Sequence, residues 1–193
     1  STGNASLSIH IGGIADANYA DAAAKGTRAI EPIGKVCTKL TISVYNVEGQ
    51  RVYSVNKKST DADFANATMK LAEGKYHLVI VAHSNEKNAT TTDINKISFE
   101  GKLTDTFHYY KEIELVAGGN NIDVVMERVT AMFCLEIADQ IPENVKQLKF
   151  YYTGGSSTLS GYTGAGSVNS RQTEIRNVQS GINTYEVYTF PQP

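Results

Sequence analysis

The chain has 193 residues and a formal net charge of −2, from 18 Lys+Arg against 20 Asp+Glu. This balance argues against a nucleic-acid partner, which requires a basic surface. No apolar run is long enough to span a membrane as a helix, and two cysteines are too few for a disulfide scaffold or a zinc-finger framework. Val, Ile and Thr number 48 against 9 Leu, and β-branched side chains fit pleated strands better than helices. We therefore predict an all-β protein, not a helical bundle or a doubly wound α/β fold.

A first strand is predicted near the N-terminus, where Leu7, Ile9 and Ile11 alternate with polar residues. Strict alternation is typical of a strand with one buried face. Residues 15–26 are rich in Ala and Asp, and we interpret them as a long exposed connection. Long connections in compact domains are often functional.

The next segments predict a hairpin, a helix and a central strand. Alternating apolar residues at 40–45 and 52–55 flank a turn at 46–49, which indicates two antiparallel strands. Apolar residues at roughly helical spacing predict a short helix over 60–70. Residues 78–82 form a continuous apolar run, which is typical of a strand that is covered on both faces.

The rest of the chain predicts further short strands, at 107–115, 122–126, 129–137, 145–152, 174–178 and 184–190. Many short strands between turn clusters are typical of a Greek-key sandwich or barrel. The apolar alternation restarts at Val129, so we place a boundary after Arg128. This predicts an N-terminal β-sandwich domain over 1–128 and a C-terminal one over 129–193. The second unit is short for a closed sandwich, and we expect it to be incomplete.

Catalytic signatures are missing from the sequence, which has no nucleophile-elbow, zinc-protease, C-x-x-C or P-loop motif. The glycines of 161–166 resemble a phosphate loop, but no long helix follows them, so we interpret them as a flexible loop. If the strand ends that carry His83 and His108 met near Asp105, a carboxylate–imidazole pair or a metal site could form. The alternative is that these histidines lie scattered in solvent. We assign no catalytic, cofactor-binding or metal-ligating residue, and we expect no cofactor.

Two further features have alternative interpretations. The tyrosine pairs at 109–110 and 151–152 could form a platform for sugars. Alternation along a strand would instead place one tyrosine of each pair inward, as ordinary sheet packing does. Cys37 and Cys134 could form a single bridge, or both could be buried free thiols.

Five stretches of sequence carry a family resemblance through their order and spacing. They are LTISVYNVEGQ at 40–50, MKLAEGKYHLVIVA at 69–82, TDTF at 104–107, GGNN at 118–121 and ERVTA at 127–131. In this order they resemble the fimbrillin families of Bacteroidales, which are the subunits and anchors of surface fimbriae. The anchor-like branch is the most similar, and the resemblance spans residues 40–152.

The resemblance implies two transthyretin-like β-sandwich domains in series and a non-enzymatic fimbrial (pilus) subunit or anchor that takes part in cell adhesion. It also implies export as a lipoprotein to the outer-membrane surface, with the lipid-bearing cysteine before Ser1 and outside this chain. The implied partners are other fimbrial subunits and a host or bacterial surface ligand. The alternative function is a carbohydrate-binding module of a surface glycan-uptake system.

Subunits of the family join by strand exchange, after a trypsin-like protease releases an N-terminal strand. The matching displaceable strand here contains Leu7, Ile9 and Ile11, and the matching processing site is the bond between Arg28 and Ala29. An amphipathic strand followed by a long connection can leave without unthreading the fold, and its departure opens a sheet edge for another strand. The alternative is that this strand stays permanently paired and that Arg28 is an ordinary loop residue.

Overall fold

A computed structural model describes residues 4–17 and 29–193 of the chain. Its elements are β1 (Ala5–Ala15), β2 (Ile30–Glu31), α1 (Ile33–Val36), β3 (Lys39–Tyr45), β4 (Arg51–Lys58), β5 (Asn66–Leu71), β6 (Gly74–His83), β7 (Phe107–Leu115), β8 (Gly118–Arg128), β9 (Ala131–Glu136), β10 (Gln147–Ser156), β11 (Ser170–Asn177) and β12 (Thr184–Pro191). The all-β prediction is confirmed. Within the described residues, no helix has the length and apolar character needed to cross a membrane.

The larger sheet folds over into a two-layer sandwich. Its strands follow the order β2-β1-β8-β7-β6-β3-β4, and β5 also pairs with β1. Strands β7 and β8 pair through Phe107 with Arg128 and His108 with Glu127, at the base of their hairpin. Beyond this corner they diverge, so β4-β3-β6-β7 form one layer and β5-β1-β8 form the other. Side chains from both layers pack together in one buried core.

Strand β6 lies in the middle of its layer, between β3 and β7. Leu78 and Ile80 point into the sandwich core. Val79 and Val81 point to the opposite face, where they join a second buried cluster. The prediction of a strand covered on both faces is therefore confirmed. The predicted hairpin is also present, as β3 and β4.

The helix predicted over 60–70 is wrong, since turns and then strand β5 occupy these residues. Ala67 and Met69 lie opposite Ile9 and Leu7 of β1 and are buried with them. The short segment forms a strand because pairing with an amphipathic neighbour buries one face. This tertiary contact outweighs a weak helical preference.

The smaller sheet has the order β11-β10-β12-β9. Strands β10 and β12 pair through Gly155 with Pro191 and Ser156 with Phe190. A small cluster around Phe150 packs on this sheet. The division of the chain after residue 128 stays a prediction.

The segment between β10 and β11 packs the smaller sheet against the sandwich. Leu159 and Ile97 exchange two backbone hydrogen bonds, of 2.8 and 3.0 Å, and Gly161 N–H donates to Ile94 O at 2.7 Å. Leu159 and Phe190 belong to the cluster that covers the outer face of β6. A Cβ atom at Gly161 would lie 2.8 Å from Ile94 O, which is too close for any other residue. Residues 161–166 form turns and irregular structure, as the loop interpretation predicts, and the segment is packed closely against the sandwich.

Candidate functional site: strand β1 and its neighbours

The predicted displaceable strand is β1. The three residues that defined it in the sequence, Leu7, Ile9 and Ile11, point into the core of the sandwich. Leu7 has no exposed surface, and Ile9 and Ile11 are each 2% exposed. Of the predicted processing site, Arg28 lies outside the described residues. Ala29 is exposed and directly precedes β2.

Both edges of β1 are paired. On one side it runs antiparallel to β5, from Ala5 opposite Leu71 to His10 opposite Asn66. On the other side it runs parallel to β8 over most of its length. Strand β1 is therefore the middle strand of its layer. If it left, the facing edges of β5 and β8 would both expose unpaired backbone groups, which is a template for another strand.

The pairing of β1 changes at a bulge near its C-terminal end. The register with β8 shifts between Ile11 and Gly13, and the last residues of β1 pair with β2 instead of β5. Gly13 has φ +151°, and a Cβ atom there would lie 2.4 Å from Glu31 O. Only glycine allows β2 to approach this closely.

The histidines and the acidic residue considered for a metal site do not meet. His83 is fully buried, and burial lowers its pKa to about 4. His108 Nε2 contacts Gly161 O at 2.7 Å and therefore donates to it, while Asp105 accepts hydrogen bonds from Arg128 and Thr130. The carboxylate–imidazole pair considered from the sequence therefore does not form. The alternative, histidines in solvent, is wrong for His83 and His108, because both are buried. Among the described residues, no group of three or more His, Cys, Asp or Glu side chains could hold a metal ion.

The tyrosine pairs follow ordinary strand alternation. Tyr109 packs against the sandwich core, and Tyr110 lies on the other face, where its hydroxyl contacts His77 Nδ1 at 2.8 Å. Tyr152 packs on the smaller sheet, whereas Tyr151 is 59% exposed. The four rings therefore do not form a common platform.

The two cysteines are both free, so no bridge joins them. Cys37 is buried, and desolvation raises the pKa of its thiol to about 12, with a smaller contribution from Asp105. Cys134 is exposed on β9, contrary to the alternative of two buried thiols.

One cluster beside β1 was missed from the sequence: Arg128 at the end of β8 and Asp105 just before β7. The sequence contained a signal for this pair. A β-hairpin brings together the residues just before its first strand and those at the end of its second strand. Both residues lie in stretches that carry the family resemblance, TDTF and ERVTA. Opposite charges at these two positions would have predicted an ion pair.

Comparison with known proteins identifies the family. The sequence model of the family described as "Major fimbrial subunit protein (FimA)" matches residues 5–126, from the first residue of β1 almost to the end of β8. The chain belongs to this family. Membership of a fimbrial family supports a cell-surface role as a fimbrial or adhesin protein, and it supports a non-enzymatic role. The comparison with curated proteins gave no match.

Solved structures of Bacteroidales proteins share the fold. A candidate adhesin from Bacteroides ovatus aligns with a TM-score of 0.61 at 11% identity, over 98% of this chain and 69% of that one. A candidate polysaccharide-binding protein from Bacteroides thetaiotaomicron aligns with a TM-score of 0.59 at 10% identity, over 96% and 71%. The fimbrial anchor protein Mfa2 from Porphyromonas gingivalis aligns with a TM-score of 0.50 at 11% identity, over 97% and 73%. At these identities the likeness concerns the fold alone.

Proposed function

We propose that this fimbrial-family protein is a non-enzymatic pilus subunit or anchor that assembles by β-strand exchange. In the exchange, β1 leaves its layer and a strand of another subunit takes its place between β5 and β8. The observation that carries the proposal is the position of β1: it is paired on both edges, and the predicted cleavage bond lies between it and the next strand, β2. A strand that a cut separates from the rest of the domain can leave without unthreading the fold, and the groove that it vacates has two edges for a new strand.

The burial of β1 favours direct replacement by another strand. Its inward side chains include Leu7, Ile9, Ile11 and Ile14, all buried. Burying a large aliphatic side chain contributes about 1.5–3 kcal/mol, so these four contribute on the order of 10 kcal/mol, similar to the whole stability of a domain. A sandwich without β1 would therefore be unstable. The incoming strand must supply a similar apolar face as β1 departs.

Cleavage between Arg28 and Ala29 would turn β1 into a separate peptide that only non-covalent contacts retain. Ala29 is exposed, which favours access of a protease to the bond. We further propose a location at the outer-membrane surface, with a lipid on a cysteine outside this chain. Metabolic labelling of the protein with palmitate in its host tests that part of the proposal.

The exchange is tested with an arginine-specific protease and a fluorescent peptide of residues 4–17. Protein cut after Arg28 should incorporate the peptide, as measured by co-elution in size-exclusion chromatography. The uncut Arg28→Gln variant should not incorporate it. A peptide with Leu7→Ser, Ile9→Ser and Ile11→Ser should also fail, because its inward face is polar. Absence of incorporation by the cut wild-type protein would refute strand exchange.

A second candidate function is polysaccharide binding, which an exposed aromatic groove on the smaller sheet favours. The groove has a volume of about 550 Å³ and is lined by residues of β9, β10 and β12. Phe133 and Tyr151 line it and are 58% and 59% exposed. Affinity electrophoresis in polysaccharide gels tests this function. Retardation that is lost in Tyr151→Ala would support it, and wild-type mobility equal to that in a plain gel would reject it.

A further inference from the structure

The guanidinium group of Arg128 forms a partly buried, bidentate ion pair with Asp105. Arg128 Nε donates to Asp105 Oδ1 at 3.0 Å, and Nη2 donates to Oδ2 at 2.8 Å. Thr130 Oγ1 donates to the same carboxylate at 2.7 Å. The side chains of Arg128 and Asp105 are 11% and 23% exposed. A planar guanidinium held in this way has a fixed orientation.

The other edge of the same guanidinium binds the chain just after β1. Nη1 donates to Asp16 O at 2.8 Å, and Nη2 also donates to Ala17 O. Hydrogen bonds from a charged donor are about twice as strong as neutral ones. Asp16 has φ +51°, in the left-handed region. Non-glycine residues seldom adopt this conformation, and the contacts with Arg128 help to hold it.

The end of β1 lies beside the start of β2 at this point. Asp16 N–H donates to Ala29 O at 2.9 Å, and Ala15 pairs with Ile30. A cut between Arg28 and Ala29 would therefore leave the end of β1 still bonded to Arg128 and to β2.

From this geometry we propose that Arg128 and Asp105 form a latch, in which Arg128 holds the C-terminal end of β1 through Asp16 O and Ala17 O. The latch retains β1 after cleavage until an incoming strand displaces it. This inference rests on the proposed strand exchange. Asp105 acts as a positioning residue, because it touches Arg128 but not β1.

The test compares Arg128→Gln with Arg176→Gln in the full-length chain. Arg176 is a matched control: it pairs with Glu174 at 2.6 Å and donates to the backbone oxygen of Glu186 at 3.0 Å, but on the smaller sheet. The double variant Arg128→Gln/Asp105→Asn removes both charges of the latch, so that no carboxylate is left without its partner. The double variant replaces Arg128→Gln in the test if the single variant fails to fold.

Two measurements are made. Hydrogen exchange of uncut protein, read by mass spectrometry, should be about tenfold or more faster in peptides covering residues 5–17 of the Arg128 variant, because it loses two charge-assisted hydrogen bonds. Exchange there should be unchanged in the Arg176 variant. After cleavage at Arg28, displacement of the N-terminal fragment by an excess of the 4–17 peptide should be accelerated by a similar factor, again only in the Arg128 variant.

The outcomes separate the two proposals. Faster exchange and faster release in the Arg128 variants alone support the latch. Equal exchange of β1 in the Arg128 and Arg176 variants overturns the latch, whatever the release rates. If cut protein never releases β1 in any variant, even with an excess of the 4–17 peptide, the proposed strand exchange fails. The hydrogen-exchange comparison then still decides whether Arg128 holds β1.

Discussion

Acid should destabilise this protein through His83, at the end of β6. The ring is fully buried. Its Nδ1 accepts the backbone N–H of Asn85 at 3.1 Å, and its Nε2 has no hydrogen-bond partner among the described residues. Phe99 contacts the ring edge-on at a centroid distance of 5.3 Å. Desolvation, with a smaller contribution from Lys39, lowers the pKa of His83 from 6.5 to about 4.

The sign and size of the effect follow from linkage. The folded protein binds the His83 proton less readily than the unfolded chain, so stability is complete above pH 6.5 and is lost as the pH falls toward 4. For a pKa of about 4 in the folded state and 6.5 in the unfolded state, the free energy of unfolding should fall by about 2 kcal/mol between pH 8 and pH 5.

Urea denaturation followed by circular dichroism measures this change. The carboxylates also titrate, so the wild-type protein is compared with His83→Gln, which stays neutral at both pH values. The loss of stability from pH 8 to pH 5 should be about 2 kcal/mol smaller in the variant. An equal loss in both proteins would refute the reasoning, since it would mean that His83 has the same pKa in the folded and unfolded states.

Three further predictions concern β1 and the cysteines. Ile9→Ala should lower the free energy of unfolding by about 2–5 kcal/mol, because it leaves a cavity in the sandwich core; urea denaturation checks this. Gly13→Ala should lower it by about 1–3 kcal/mol through a clash with β2, whereas Gly12→Ala should have little effect, since its new Cβ would have no contact closer than 3.7 Å. Cys134 should react with maleimide in the native protein, and Cys37 only in denaturant, because burial raises its pKa to about 12.

The sequence predicts those elements whose pattern is local. Alternation located β1, and the continuous apolar run located β6 and its two covered faces. The helix over 60–70 was a wrong prediction because Ala67 and Met69 owe their strand conformation to β1, about 60 residues earlier in the chain. Local spacing carries no information about such a partner.

The sequence predicted only part of the candidate site, because the rest depends on contacts between residues far apart in the chain. Leu7, Ile9 and Ile11 were recognised from alternation, but alternation does not say that β1 has neighbours on both edges. The contact between Arg128 and Asp16 joins residues 112 positions apart, and no spacing rule predicts it. The packing of Gly161 under Ile94 was likewise hidden, because a glycine-rich segment has the same composition whether it is packed or loose.

The central claim is that β1 must leave for assembly. An engineered disulfide bond between β1 and β5, which reduction breaks again, tests it most directly. Ser8 lies opposite Thr68 in the β1–β5 pair. Ile11 N–H donates to Ala65 O at 2.8 Å, so alternation makes Ser8–Thr68 a non-hydrogen-bonded pair, whose close Cβ atoms suit a disulfide. A Ser8→Cys/Thr68→Cys variant, made in a Cys134→Ser background, therefore ties β1 to β5.

Incorporation of the fluorescent 4–17 peptide is then measured after cleavage at Arg28, under oxidising and reducing conditions. Our account predicts no incorporation while the disulfide is intact and wild-type incorporation after reduction. Equal incorporation in both states would contradict it, because a second strand would then bind without the departure of β1.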